Sequence, residues 1–148
     1  MSADRGSEVP VAFGFHPYLR LPGVRREEWR VEAPVSERLE LDDRMLPTGR
    51  RQPDRIAPGP LEQRTFDTAF LAPSGDRPFT LSGSGRSIRL SMGESYPFAQ
   101  VYAPGDDEVV AFEPMSAPTN ALLSGEALPL LAPGGRLTAS FAVSVADL

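Results

Sequence analysis

The sequence contains no cysteine, no lysine and a single histidine, His16. Without cysteine there is no disulfide, no thiolate nucleophile and no thiolate-bound metal. One imidazole cannot build a histidine-based metal cluster, so no metal is expected either. All 15 basic residues are arginine. The missing lysine suggests a GC-rich bacterial genome and excludes both Schiff-base chemistry and a Walker-type phosphate loop, so neither pyridoxal phosphate nor a P-loop nucleotide enters the reading. Basic runs stop at pairs such as Arg25-Arg26 and Arg50-Arg51, and the formal charge is −5. That balance argues against a nucleic-acid partner and favours a neutral or weakly charged small molecule. Long apolar runs are absent too, and residues 1–10 (MSADRGSEVP) lack the basic and apolar regions of a signal peptide. The expectation is therefore a cytoplasmic protein with no membrane partner.

Helical periodicity is equally scarce: no window of about twelve residues carries an apolar period of 3.6 with caps. Short alternating runs recur instead between Gly, Pro and Asp turns. A chain of 148 residues with 41% apolar content can build one real core, so the reading is one all-β domain over 1–148, an antiparallel β-sandwich.

In chain order, VPVAFGFHPYLRL sets Phe13, Phe15, Leu19 and Leu21 against Gly14, His16, Tyr18 and Arg20. Gly14 and Pro17 make this an edge, bulged or bent strand. Trp29, Val31 and Ala33 share one side of the next strand, and Leu39 and Leu41 continue the pattern. Residues 44–63 (RMLPTGRRQPDRIAPGPLEQ) are dense in Pro, Gly and Arg and read as a long surface excursion, a candidate rim or lid. RTFDTAFLA alternates again, with Thr65, Asp67 and Ala69 on one face. FTLSGSGRSIRLSMG reads as two strands about a Gly83-Ser84-Gly85 turn. YPFAQVYA is a strand with Gln100 and Tyr102 on one side, paired by a hairpin with VVAFE so that Gln100 lies near the strand of Glu113. RLTASFAVSV closes the chain as a strand with one buried and one polar face.

The stretch DEVVAFEPMSAPTNALLSG organises the rest. Its apolar run delivers Glu113 to Pro114, which lacks an N–H and is expected to end the strand there. A carboxylate at such a strand end is well placed for catalysis, although this stretch by itself favours the plainer reading of a glutamate solvated on a rim.

Taken together, GFHPYLRLPG, RTFDTAF, YPFAQVYAPGDDEVVAFEPMSAPTNALLSG and LLAPGGRLTASFAVSV resemble the aldose 1-epimerase (galactose mutarotase-like) family in words, order and spacing. The resemblance covers nearly all of this chain but only the C-terminal half of that family's supersandwich. It implies that the family's N-terminal strands, with a further arginine and histidine for the sugar site, have no counterpart here. It also implies an isomerase of carbohydrate metabolism that needs no cofactor and acts on a sugar. His16 would be the general acid and Glu113 the general base, while Asp67 and Gln100 would bond sugar hydroxyls.

Tyr18 and Arg20 flank His16 and are further candidates for binding, a stacking ring and a charge for a hexose phosphate. Each has a plainer alternative: a satisfied structural histidine, a rim aspartate, a polar-face glutamine, a core aromatic, a solvated arginine. Two function classes follow, an enzyme that interconverts anomers and a binding module or fragment that keeps the cleft without turnover. Apolar faces such as Phe13/Phe15 and Phe141/Val143 would lack partners in a half-sandwich, so the chain is expected either to self-associate or to be markedly less stable than the full domain, and to show little or no mutarotase activity by itself.

Overall fold

Alternation along the strands sorts the side chains into one buried layer and two outer faces, and the architecture follows from that sorting. The computed structural model describes every residue except Arg5, Asp76 and Leu148. In chain order the strands are β1 (Val9–Pro10), β2 (Tyr18–Leu19), β3 (Arg30–Glu32), β4 (Glu37–Leu41), β5 (Pro47–Pro53), β6 (Gly59–Pro60) and β7 (Phe66–Leu71). They continue with β8 (Phe79–Gly83), β9 (Arg86–Met92), β10 (Phe98–Ala103), β11 (Val110–Met115), β12 (Leu130–Leu131) and β13 (Phe141–Asp147). A single helical turn, α1 (Ala121–Ser124), follows β11.

One sheet has the order β2-β11-β10-β7-β4-β5 and the other β13-β9-β8-β3-β6, while β1 and β12 form a small ribbon. Neighbouring strands run antiparallel. Phe70, Ala99, Val101, Val110 and Phe112 from the first sheet and Val31, Phe79, Leu81 and Leu90 from the second are all buried. Phe79 and Phe112 meet across the gap with ring centroids 5.3 Å apart, so the fold is an antiparallel β-sandwich. Each fully buried apolar side chain of this kind is worth about 1.5–3 kcal/mol, which is why the core face tolerates so few polar residues.

Between β8 and β9 the turn has Ser84 at φ +49° and Gly85 at φ +76°. Two successive left-handed residues match the twist of a tight hairpin, as the sequence suggested. Arg26 is an unusual core member. Its guanidinium is buried and donates to the carbonyls of Glu62, Arg64 and Pro104, tying three loops together without a carboxylate partner among the hydrogen bonds described.

Three expectations need correction. Pro114 does not end its strand: it pairs with Ala99, and Met115 beyond it pairs with Phe98. The carbonyl of Pro114 accepts from the Phe15 N–H on the far side of β11. The amide nitrogen of a strand residue points the same way as its carbonyl, so the absent N–H costs nothing on the β10 side. The excursion at residues 44–63 is not a loop throughout, because β5 pairs with β4 as the outer strand of its sheet. Its prolines, Pro47 and Pro53, sit at the two ends of that edge strand, where the ladder can spare a donor. Finally, the closing strand begins at Phe141 and not at Arg136, and of the face expected to lack partners Phe141 packs against the core, whereas Val143 and Val145 are open, 45% and 71% exposed. Alternation specifies which side chains share a face, not whether anything covers it.

Candidate active site

The site face is the outer face of the six-stranded sheet, and its composition follows from register. Tyr18 lies across from Ala111, Ala111 from Tyr102, and Tyr102 from Asp67. In the next row Glu113 lies across from Gln100, and Gln100 from Ala69. Gly14 bridges to Met115 in the row beyond, so the same register carried between Gly14 and Tyr18 sets His16 opposite Glu113. Four neighbouring strands thus present His16, Tyr18, Asp67, Gln100, Tyr102 and Glu113 on one face. The row of Met115, Phe98 and Leu71 continues this face as an apolar floor with Leu39 and Ala69.

His16 Nε2 stands 3.1 Å from Glu113 Oε1. The glutamate side chain is only 13% exposed, whereas the imidazole is 43% exposed. Burial first, and the neighbouring charge of Asp67 second, push the Glu113 carboxyl up to about 7. A carboxylate rooted in a rigid strand, partly dehydrated and facing another carboxylate resists ionisation for both reasons. The imidazole ring stacks on Tyr18 at 4.5 Å and meets the edge of Tyr102 at 5.7 Å, which fixes its plane. Partial desolvation, then the phenol of Tyr18 and nearby acidic groups including Asp67, hold the Tyr102 hydroxyl above the usual phenol range.

Gln100 Nε2 donates to Asp67 Oδ1 at 2.5 Å, so these two polar groups orient one another beside Glu113. Arg20 is turned to the rim, where it donates to Glu108 at 3.3 Å with both side chains exposed. Two hollows open on this face: one of about 340 Å³ lined by Phe13, Phe15, His16, Glu113 and Met115, and one of about 440 Å³ bordered by Asp67, Thr68 and Gln52. Both are large enough for a small polar molecule. Among the described residues no group of acids and imidazole could hold a metal ion.

Proton exchange is the chemistry this arrangement can perform. A carboxyl pushed up to about 7 can keep or release a proton near neutrality, and the imidazole 3.1 Å away is a group able to donate or accept one, which suits two groups that must trade acid and base roles.

The profile of the family described as aldose 1-epimerase matches residues 1–144. The chain belongs to the aldose 1-epimerase family. Solved structures agree on the fold. A galactose mutarotase-like protein from Clostridium acetobutylicum superposes with a TM-score of 0.83 at 14% identity, over 95% of this chain and 49% of that one. The GalM/aldose epimerase homologue from C. elegans gives 0.75 at 19% identity, over 96% and 53% of the two chains. A galactose mutarotase related enzyme from Lactobacillus acidophilus gives 0.71 at 19%, over 93% and 53%. No curated protein matches the chain. This family member therefore spans about half the length of the solved structures it matches.

Tyr102 shares its side of β10 with Gln100, a parity visible in the sequence that allows a stacking ring as well as a core aromatic, and its ring meets His16 on this face. One residue near the pair escaped the site reading of the sequence. Ser116 is buried behind the pair, and nothing in its sequence context distinguishes it from a loop serine.

Proposed function

We propose that residues 1–148 form one partial mutarotase-like domain that carries the acid–base pair of an aldose 1-epimerase, interconverting the α and β anomers of a free hexose. The observation that carries this reading is the 3.1 Å contact between His16 and a Glu113 whose carboxyl is pushed up to about 7. The hydroxyl oxygen and the ring oxygen of an aldose are both bonded to C1, so the groups that serve them have to lie side by side. Glu113 as carboxylate removes the proton from O1 while His16 as imidazolium gives one to the ring oxygen O5. The C1–O5 bond breaks, a carbonyl forms at C1, and rotation about C1–C2 presents its other face. Reclosure runs the transfers backwards, with Glu113 now the acid and His16 the base, so no net proton is consumed. Asp67 and Gln100, already paired, would hold sugar hydroxyls; Tyr18 would stack beside His16. The pair requires no cofactor or metal for these steps. Arg20 would reach an anionic substituent only by leaving Glu108, which favours a neutral sugar over a hexose phosphate. The reaction and its reactants suit the cytoplasm.

A second reading rests on length. Because the chain covers about half of its structural relatives, it would serve as a carbohydrate-binding module, or as part of a larger epimerase, if orientation of the sugar depends on groups the chain does not supply. Polarimetry of freshly dissolved α-glucose or α-galactose separates the two. Rotation decaying faster than the spontaneous rate, and slowed by Glu113→Gln, supports the enzyme. Saturable sugar binding without acceleration supports the module.

A further inference from the structure

His16 sits in a weakly paired part of its chain. Gly14 makes only an isolated bridge, β2 begins at Tyr18, and both Pro17 and Pro114 lack the N–H that would extend the ladder between them. Beside the Gly14 bridge, Phe15 N–H donates to Pro114 O at 3.1 Å. Yet His16 is held 3.1 Å from Glu113.

We infer that Ser116, with Gly14 beside it, is a positioning residue that clamps the His16-bearing segment onto the strand of Glu113. Ser116 lies three residues beyond Glu113 and its side chain is buried. Its hydroxyl accepts from the Phe13 N–H at 2.9 Å and donates to the Phe13 carbonyl at 3.0 Å, and its own N–H donates to that carbonyl at 2.9 Å. One serine thereby satisfies both backbone groups of a residue three positions before His16, in surroundings where water competes poorly. Gly14 then allows the close approach that follows. A Cβ there would stand 3.0 Å from the Pro114 carbonyl oxygen and 3.2 Å from the Met115 side chain. The oxygen belongs to the sheet backbone, so a side chain here would have to gain a few tenths of an ångström, most easily by moving the less paired segment outward. Serine on one side of the bridge and glycine on the other leave His16 with a single seat.

This inference rests on the reading of His16 and Glu113 as a working pair, but its test does not. As the only histidine, His16 gives unambiguous imidazole resonances, and cross-relaxation between its ring protons and the Glu113 side chain reports their contact in solution. In the wild-type chain the cross-peaks should be present. Ser116→Ala should weaken them at least threefold while leaving the amide spectrum of the β8–β9 hairpin in place. Ser116→Thr, which keeps the hydroxyl, should restore them, and Gly14→Ala should weaken them independently. Should Ser116→Ala fail to fold, Gly14→Ala decides alone. Cross-peaks of wild-type intensity in Gly14→Ala, or in Ser116→Ala where it folds, would overturn the clamp. Mutarotation is measured separately. Variants that lose the contact as expected, in a chain that turns over no sugar, would support the clamp and count against the epimerase reading.

Discussion

Replacing Glu113 by Gln should change not only catalysis but the dependence of stability on pH. Burial and the charge of Asp67 raise the Glu113 carboxyl from its ordinary value of 4.5 to about 7 in the folded chain. Between those values the native protein holds a proton that the unfolded chain has released. The stability this contributes is full below pH 4.5 and is lost as pH rises through 7. A displacement of that size corresponds to about 3 kcal/mol, of which roughly 2.5 kcal/mol disappears between about pH 5 and pH 8. Gln has nearly the same shape and no titration. Urea unfolding of both proteins at the two pH values isolates the effect, because contributions from groups other than Glu113 largely cancel in the double difference. His16, at 3.1 Å, is the group most able to disturb that cancellation, so the same cycle in a His16→Asn background completes the measurement. Relative to Glu113→Gln, wild type should lose about 2 kcal/mol or more on going to the higher pH. A double difference within about 0.5 kcal/mol of zero would refute the buried, charge-opposed carboxyl and with it the observation that carries the proposed acid–base pair.

Where mutarotation is measurable, Glu113→Gln and His16→Asn should each slow it by about a hundredfold or more, and polarimetry showing full activity in either variant would remove that residue from the mechanism. Arg26→Met leaves the carbonyls of Glu62, Arg64 and Pro104 without their donor and should cost about 2–4 kcal/mol in urea unfolding; a loss below about 0.5 kcal/mol would mean that the three loops close without the guanidinium. Wild-type chain should self-associate through the uncharged run of β13, and lysine at Val143 or Val145 should shift size-exclusion profiles toward monomer. An unchanged profile would place any association elsewhere.

How much was legible in the sequence depends on which force sets each feature. Alternation in residues 66–71 and 98–103 gives those strands and their buried faces directly, because a period of two admits one solution once a core exists, while 110–115 is legible as an apolar run, buried on both sides at Val110, Ala111 and Phe112. The hairpin that brings Gln100 across from Glu113 follows from the same runs and the PGDDE turn. The strand at Pro47–Pro53 was hidden by its composition, since an edge strand can carry arginine and proline at little cost. Pro114 misled for a related reason: which side of a strand its missing N–H faces depends on its neighbours. The bareness of Val143 and Val145 is a property of what surrounds them, which no local pattern encodes. For the site, the residue types came from family resemblance, whereas the placement of His16 beside Glu113 needs a register that passes through Gly14 and Tyr18 and is set by Ser116.

That register joins residues very far apart along the chain. Phe13 and Ser116 are 103 positions apart and Asp67 and Gln100 are 33 apart, whereas β10 and β11 are joined by a short turn. Closing a loop of about a hundred residues costs about 4 kcal/mol in chain entropy before any contact repays it, so sheets fold from local hairpins outward. The β10–β11 hairpin, which already carries Gln100 and Glu113, should therefore form early, and the segment bearing His16 should dock among the last. Trp29, buried just before β3 of the opposite sheet, would then regain its native fluorescence before the imidazole reaches its carboxylate. During refolding the chain would pass through a state with a closed core and half a site, and the arrival of its only histidine would mark the end of folding.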